Sequence, residues 1–157
     1  MGDIMDRWEA AWIAIVALTL AIFVGTLIAV AGVGYIPPSE VETAYTPTDQ
    51  VEEFQPGVRE IGDGVYEVNI LAYRFSFQPN KIVLENPREI RFRIYSSDVL
   101  HGFSIVGTNV NIMVLPGYVS EIVWRPPQDF EGSFLFICNE YCGIGHSGMM
   151  GELVIVR

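Results

Sequence analysis

Near the end of the chain, soft donors crowd into one segment, Cys138-Asn-Glu-Tyr-Cys142-Gly-Ile-Gly-His146-Ser-Gly-Met149. The whole sequence holds only two cysteines and two histidines, and three of those four side chains fall within nine residues here. Thiolate, imidazole and thioether groups gathered this tightly indicate a metal. The segment sits between two predicted strands, so it reads as a loop on a rigid scaffold, where ligands are usually held.

Three chemistries are open to these residues. A Cys138–Cys142 disulfide suits an extracytoplasmic domain, but it closes a tiny loop, stabilises little by chain entropy, and leaves His146 and Met149 without a role. Zinc accepts two thiolates and two imidazoles in a tetrahedron; it has no use for a thioether, and the spacing is not that of a zinc finger. Copper uses every donor, because thiolate, imidazole and a weak axial Met form the set of electron-transfer copper sites. A mononuclear site needs one cysteine. A second cysteine four residues on allows both thiolates to bridge two coppers, each completed by one histidine and one weaker ligand.

The segment resembles the binuclear copper motif of cytochrome c oxidase subunit II, Cys-x-Glu-x-Cys-x-x-x-His-x-x-Met, at every ligand position. The resemblance extends to Asp98-Val-Leu-His101-Gly-Phe103 and Leu115-Pro-Gly117, and covers most of residues 65–157. It implies that Cys138 and Cys142 are bridging thiolates, that His146 and Met149 come from the same loop, that His101 brings the second imidazole from a distant strand, and that Glu140 ligates through its backbone carbonyl. Met150 lies next in sequence, but the spacing selects Met149, and Met113 is expected in the core. The resemblance also implies a Glu140 carboxylate facing a large subunit, where it can hold a magnesium-like ion; the alternative is a carboxylate bonded to neighbouring backbone or to an arginine.

The common two-helix form of the family carries a tryptophan in an aromatic stretch, whereas Leu71-Ala-Tyr-Arg-Phe-Ser-Phe-Gln-Pro79 has none. One helix, with Phe75 and Phe77 in that stretch, resembles the B-type haem–copper oxidases. The implied function is an electron-receiving, non-catalytic subunit of a respiratory terminal oxidase. A reduced cytochrome c or small copper protein would supply electrons, and a haem–copper catalytic subunit I in the membrane would take them. The same module serves copper-containing nitric oxide reductases, which is the alternative in the same architecture. From another class, a membrane-tethered copper carrier would need a single exposed, exchangeable copper.

The elements that must position these groups are short and β-rich. Val65–Phe77, Lys81–Leu84, Ile90–Ile94, His101–Val106, Val110–Leu115, Val119–Arg125, Ser133–Cys138 and Glu152–Val156 are separated by turn residues such as Gln78-Pro-Asn80 and Pro126-Pro127. Seven or eight strands at this spacing predict an all-β antiparallel sandwich or barrel. The resemblance makes it a cupredoxin-like Greek key over 65–157. Residues 39–64, rich in acids, Pro and Gly, read as an extended acidic linker over the domain surface.

Residues 1–38 read as an N-terminal transmembrane anchor. No charged residue occurs from Ala10 to Ser39, and the apolar run from Trp12 to Ile36 exceeds the roughly 20 residues that cross a bilayer. Trp8, Trp12 and Tyr35 suit the interfaces, and Pro37-Pro38 stops the helix. A cleavable signal peptide has a basic start and a shorter apolar region; this start is Asp3, Asp6, Arg7 and Glu9. Arg7 weakly favours an inside N-terminus, which puts the copper domain on the extracytoplasmic side of a single-pass membrane protein. The net charge of −10 is concentrated in residues 39–64, with seven acids against one base. Such a surface excludes nucleic acid as a partner and suits a basic one.

Overall fold

A computed structural model describes residues 6–32, 41–51 and 54–157. The chain divides into two compact units, Met1–Pro38 and Ser39–Arg157.

In the first unit, helix α1 spans Arg7–Gly32. Its start is set by a capping box: Asp6 Oδ1 accepts from the Trp8 and Glu9 amides at 2.7 and 2.9 Å, and Glu9 Oε2 accepts from the Asp6 amide at 3.0 Å. Two orphan donors and the Asp6 amide are thereby satisfied. Ala, Ile, Leu and Val dominate the interior, and the Thr19 hydroxyl donates to the Ile15 carbonyl at 2.8 Å, so its polar group is covered within the helix. At 26 residues the helix is long enough to cross the hydrocarbon layer. None of its described side chains is buried within the chain. Tyr35 and Pro37-Pro38 lie outside the described residues.

The second unit is a two-sheet sandwich. Its strands are β1 Val41–Pro47, β2 Gly57–Gly62, β3 Val65–Tyr73, β4 Ser76–Gln78, β5 Lys81–Glu85, β6 Glu89–Ser96, β7 His101–Ile105, β8 Asn111–Val114, β9 Tyr118–Trp124, β10 Gly132–Ile137 and β11 Met150–Val156. One sheet runs β1-β9-β6-β3-β2, with β4 paired to the end of β3; the other runs β5-β11-β10-β7-β8. Alternation of apolar and polar residues drives the layering, as in β5, where Ile82 and Leu84 face inward and Lys81, Val83 and Glu85 outward. Between the sheets Phe77, Phe92, Phe103 and Phe136 form one aromatic cluster with ring centroids 5.3–5.9 Å apart. All four are essentially inaccessible to solvent, and removing one such ring costs about 3–5 kcal/mol.

Three expectations change. The pairing is not purely antiparallel, since β3 runs parallel to β6 and β5 parallel to β11. The run Val65–Phe77 is broken by a tight turn at Arg74 and Phe75 into β3 and β4, with Tyr73 opposite Ser76. Residues 39–64, read as a connection, supply β1 and β2, which hydrogen-bond to β9 and β3 at the two margins of one sheet.

The outer face of that sheet is a charge ladder. Arg93 bonds Glu121 at 3.0 Å, and Glu89 links Arg91 at 2.7 Å to Arg125 at 2.8 Å, which reaches Glu42 at 3.2 Å. Arg93 and Glu121 are direct cross-strand partners, where opposite charges support register.

Candidate metal centre

Two strands and one loop build the centre. His101 opens β7, which pairs with β10 through Ile137 opposite Ser104. Strands β10 and β11 form a hairpin whose last pair is Ile137 opposite Met150. The Cys138 amide donates to the Met149 carbonyl at 3.0 Å and ties the two ends of the intervening loop together. Inside it, Gly143 has φ of 130°, a conformation that favours glycine, and His146–Gly148 form one 3₁₀ turn that brings Met149 back to the base.

The donor atoms converge. Cys138 Sγ lies 3.8 Å from Cys142 Sγ and 3.8 Å from His101 Nδ1. Cys142 Sγ lies 3.7 Å from both His146 Nδ1 and Met149 Sδ. The Glu140 carbonyl oxygen is 3.2 Å from Cys138 Sγ. His101 is fully buried, Cys138, Cys142 and Met149 are buried, and His146 is half-buried at the rim. His101, Cys138 and Cys142 bring their ligand atoms within 4.8 Å of one another.

The surroundings orient this set. Asp98 Oδ1 is 2.8 Å from His101 Nε2, so the ring nitrogen away from the sulfurs is occupied. Burial pushes the Asp98 carboxyl up, but hydrogen bonds from His101 and from the Arg74 and Val99 amides outweigh it and hold the carboxyl below its usual range. Burial, followed by the neighbouring Cys138 sulfur, pushes the Cys142 thiol up to about 11. A metal must therefore displace a proton held at neutral pH, and uptake is linked to proton release.

The loop brings the Glu140 carbonyl to Cys138 and His146 and Met149 to Cys142, with His101 arriving from β7 beside Cys138. Both cysteines are free, so the disulfide reading does not describe this structure. Met150 is turned outward and 44 % exposed. Met113, expected in the core, lies on the outward face of β8 and is 43 % exposed, because its alternation partners Ile112 and Val114 take the inner positions. Among the described residues the Glu140 carboxylate has no hydrogen-bond or ion-pair partner, so the backbone or arginine contact considered for it is not formed.

Sequence reasoning passed over three supports. Asp98 sits in the recognised Asp98–Phe103 segment, yet its role depends on the strand entry that aims it back at His101. Gly102 lets the loop pass beside His101: a Cβ there would lie 2.1 Å from Asn139 Oδ1 and 2.9 Å from the Glu140 amide. Asn139 is fixed in turn by donating to Asn111 Oδ1 at 3.0 Å.

The donor set fits copper better than zinc, since a buried thioether and a carbonyl oxygen stand beside two thiols and two imidazoles. A cupredoxin-like sandwich with this cluster between β7 and the β10–β11 loop defines a class of soft-metal, electron-transfer type domains. The model of the cytochrome c oxidase subunit II periplasmic domain matches residues 66–156. A cytochrome c oxidase subunit 2 of Thermus thermophilus is 36 % identical over 155 residues, covering 94 % of this chain and 91 % of its own. Another from Thermus thermophilus is 39 % identical over 126 residues, covering 78 % of this chain and 92 % of its own. Among solved structures, a chain of a heme-copper terminal oxidase dimer superposes with a TM-score of 0.62 at 28 % identity, over 96 % of this chain and 99 % of that one. The chain belongs to the cytochrome c oxidase subunit II family.

Proposed function

We propose that the chain is the electron-receiving subunit of a membrane haem–copper oxidase, anchored by α1 with its β-domain on the extracytoplasmic side. The observation that carries this reading is the convergence of two free thiols, two imidazoles, a thioether and a carbonyl in one cluster, four of whose six residues are buried. When bound, a copper pair would supply a one-electron carrier whose charge change is shared by two metals.

The protein's own residues do the rest. Cys138 and Cys142, 3.8 Å apart, present both sulfurs to a common site. His101 Nδ1 lies beside Cys138 Sγ and His146 Nδ1 beside Cys142 Sγ, and Met149 and the Glu140 carbonyl would add two weaker donors. Asp98 keeps the proton on His101 Nε2, leaving Nδ1 to ligate. The sandwich fixes the donors before a metal arrives, and burial of four of the six ligand residues excludes water.

Around Cys142 the surface is an apolar apron of Phe75, Val99, Leu100, Tyr141 and Ile144, with Arg74 its one charged residue. Tyr141 and Ile144 are 77 % and 98 % exposed. A reduced cytochrome c or small copper protein docking here would deliver its electron beside a ligand sulfur. The catalytic subunit in the membrane would receive it and reduce the gas. A carrier that hands copper over would need an open, exchangeable site, which a buried cluster does not favour.

The test is copper stoichiometry with electron-spin resonance on the copper-loaded chain. Two coppers per chain sharing one unpaired electron are expected. One copper with its own unpaired electron would sink the proposal.

A further inference from the structure

Both imidazoles of the cluster trace back to one two-residue turn. Arg74 and Phe75 join β3 to β4 and reach the rim of the centre, although neither belongs to the strand or the loop that carries a donor. The Arg74 amide donates to Asp98 Oδ2 at 2.9 Å, and the other carboxylate oxygen of Asp98 holds His101 Nε2 at 2.8 Å. On the other side, the Phe75 ring lies directly against Gly143 and Gly145. A Cβ at Gly145 would stand 2.4 Å from Phe75 Cδ2 and 2.5 Å from Cγ, and one at Gly143 would stand 3.0 Å from Cε1. These two glycines flank Ile144 between Cys142 and His146.

That stretch has no apolar anchor of its own. Gly143 and Gly145 lack side chains, and Ile144 is 98 % exposed. A glycine-rich segment so placed is free to move unless something outside it packs against it, because glycine has the most backbone freedom to lose. Phe75 supplies that contact, and the missing Cβ atoms are what let the ring approach.

We propose that the Arg74–Phe75 turn is a positioning clamp for the centre, with Phe75 holding the His146 end of the loop and the Arg74 amide holding His101 through Asp98. The clamp rests on the copper reading above for its purpose, but its mechanical part concerns the metal-free chain and can be tested alone. Phe75 is a positioning residue, 37 % exposed and outside the aromatic core cluster, so its removal spares the sandwich.

The experiment is amide hydrogen exchange on the metal-free full chain in detergent, followed by electron-spin spectra of the copper-loaded form. In Phe75→Ala, amides of residues 142–148 should exchange at least about tenfold faster while those of β6 and β9 stay unchanged. The loaded variant should keep two coppers with an altered hyperfine pattern. Phe75→Tyr, which keeps the ring, should restore both readouts. Gly145→Ala should imitate Phe75→Ala, and combining it with Phe75→Leu should recover part of the loss, since the smaller side chain makes room for the new methyl. Loop exchange and spectra in Phe75→Ala and Phe75→Leu that match the unmodified chain would overturn the clamp. Failure of the unmodified chain to take up a copper pair would sink the copper reading, while the exchange rates would still decide the clamp.

Discussion

Asp98 and His101 are joined at 2.8 Å through Nε2, and the bond turns the opposite ring nitrogen toward Cys138 Sγ. In Asp98→Leu the ring loses the partner that fixes its tautomer and orientation. Copper affinity should fall by about 10–100-fold, the usual cost of removing such a support. Competition with a chelator of known strength measures it, and affinity equal to that of the unmodified chain would remove Asp98 from the site.

Cys142→Ser should abolish the copper pair. A hydroxyl does not ionise at a metal as a thiol does, and it bridges copper poorly. Metal analysis should give at most one copper per chain; two coppers with an unchanged spectrum would refute the bridging role.

The Glu140 carboxylate is unpartnered among the described residues, while its carbonyl faces Cys138. Glu140→Gln should leave both coppers in place, because the main-chain oxygen is untouched. In the assembled oxidase the same change should release any magnesium-like ion bound there, a hard cation that prefers carboxylate oxygen. Flash-triggered absorbance and metal analysis of the complex distinguish the cases; unchanged transfer and unchanged metal content would leave Glu140 its backbone role alone.

Away from the centre, Glu89 joins Arg91 and Arg125 on the outer sheet face, with its side chain 16 % exposed. The hydrogen bond from Arg91, opposed by burial and reinforced by Arg125, holds its carboxyl below the ordinary 4.5. A carboxyl whose folded pKa is depressed stabilises the fold above its unfolded pKa and loses that contribution as pH falls through the folded value. Glu89→Gln should therefore lower stability at pH 7 by no more than about 1 kcal/mol, the scale of solvent-screened ion pairs. Denaturant melts at pH 7 and below pH 4 should show the gap between the two proteins closing in acid; a gap that persists there would assign the loss to packing.

Ile144, at 98 % exposure, is the most prominent residue of the apron beside Cys142. Ile144→Asp should raise the KM for the reduced donor in the native complex by about tenfold, the effect of about 1.4 kcal/mol of lost apolar contact. Salt should alter the unmodified rate little, because an apolar contact has no charges to screen. Steep salt dependence together with an unaffected Ile144→Asp would place the donor elsewhere on the chain.

Much of this was legible in the sequence, and for physical reasons. Four of the six proposed donors, Cys138, Cys142, His146 and Met149, lie in one contiguous loop, so spacing alone groups them, while the Glu140 carbonyl was implied only by the family motif. His101 is 37 residues away from Cys138, and only the family motif attached it. Core strands such as β5 and β6 announce themselves by alternation, whereas β1 and β2 are marginal strands of mixed composition, and none of their described side chains is buried to impose a period. Parallel pairing of β3 with β6 was invisible because register is set by partners far along the chain. The same holds for Phe75, whose contact with Gly143 and Gly145 spans two sheets' worth of sequence.

The pairing of β1 with β9 and of β5 with β11 also sets a timetable. Strand β1 leaves the anchor first, yet its partner lies more than 70 residues downstream, with Val41 opposite Trp124. Contacts this distant in sequence close slowly. The second sheet waits longer still, for its parallel edge needs the final strand β11. During synthesis the domain must remain an open chain until almost all of it has been made. Any metal that the cluster takes up must therefore arrive late, and the thiols of Cys138 and Cys142 stay free in the folded chain only if they are kept reduced until the scaffold has closed around them.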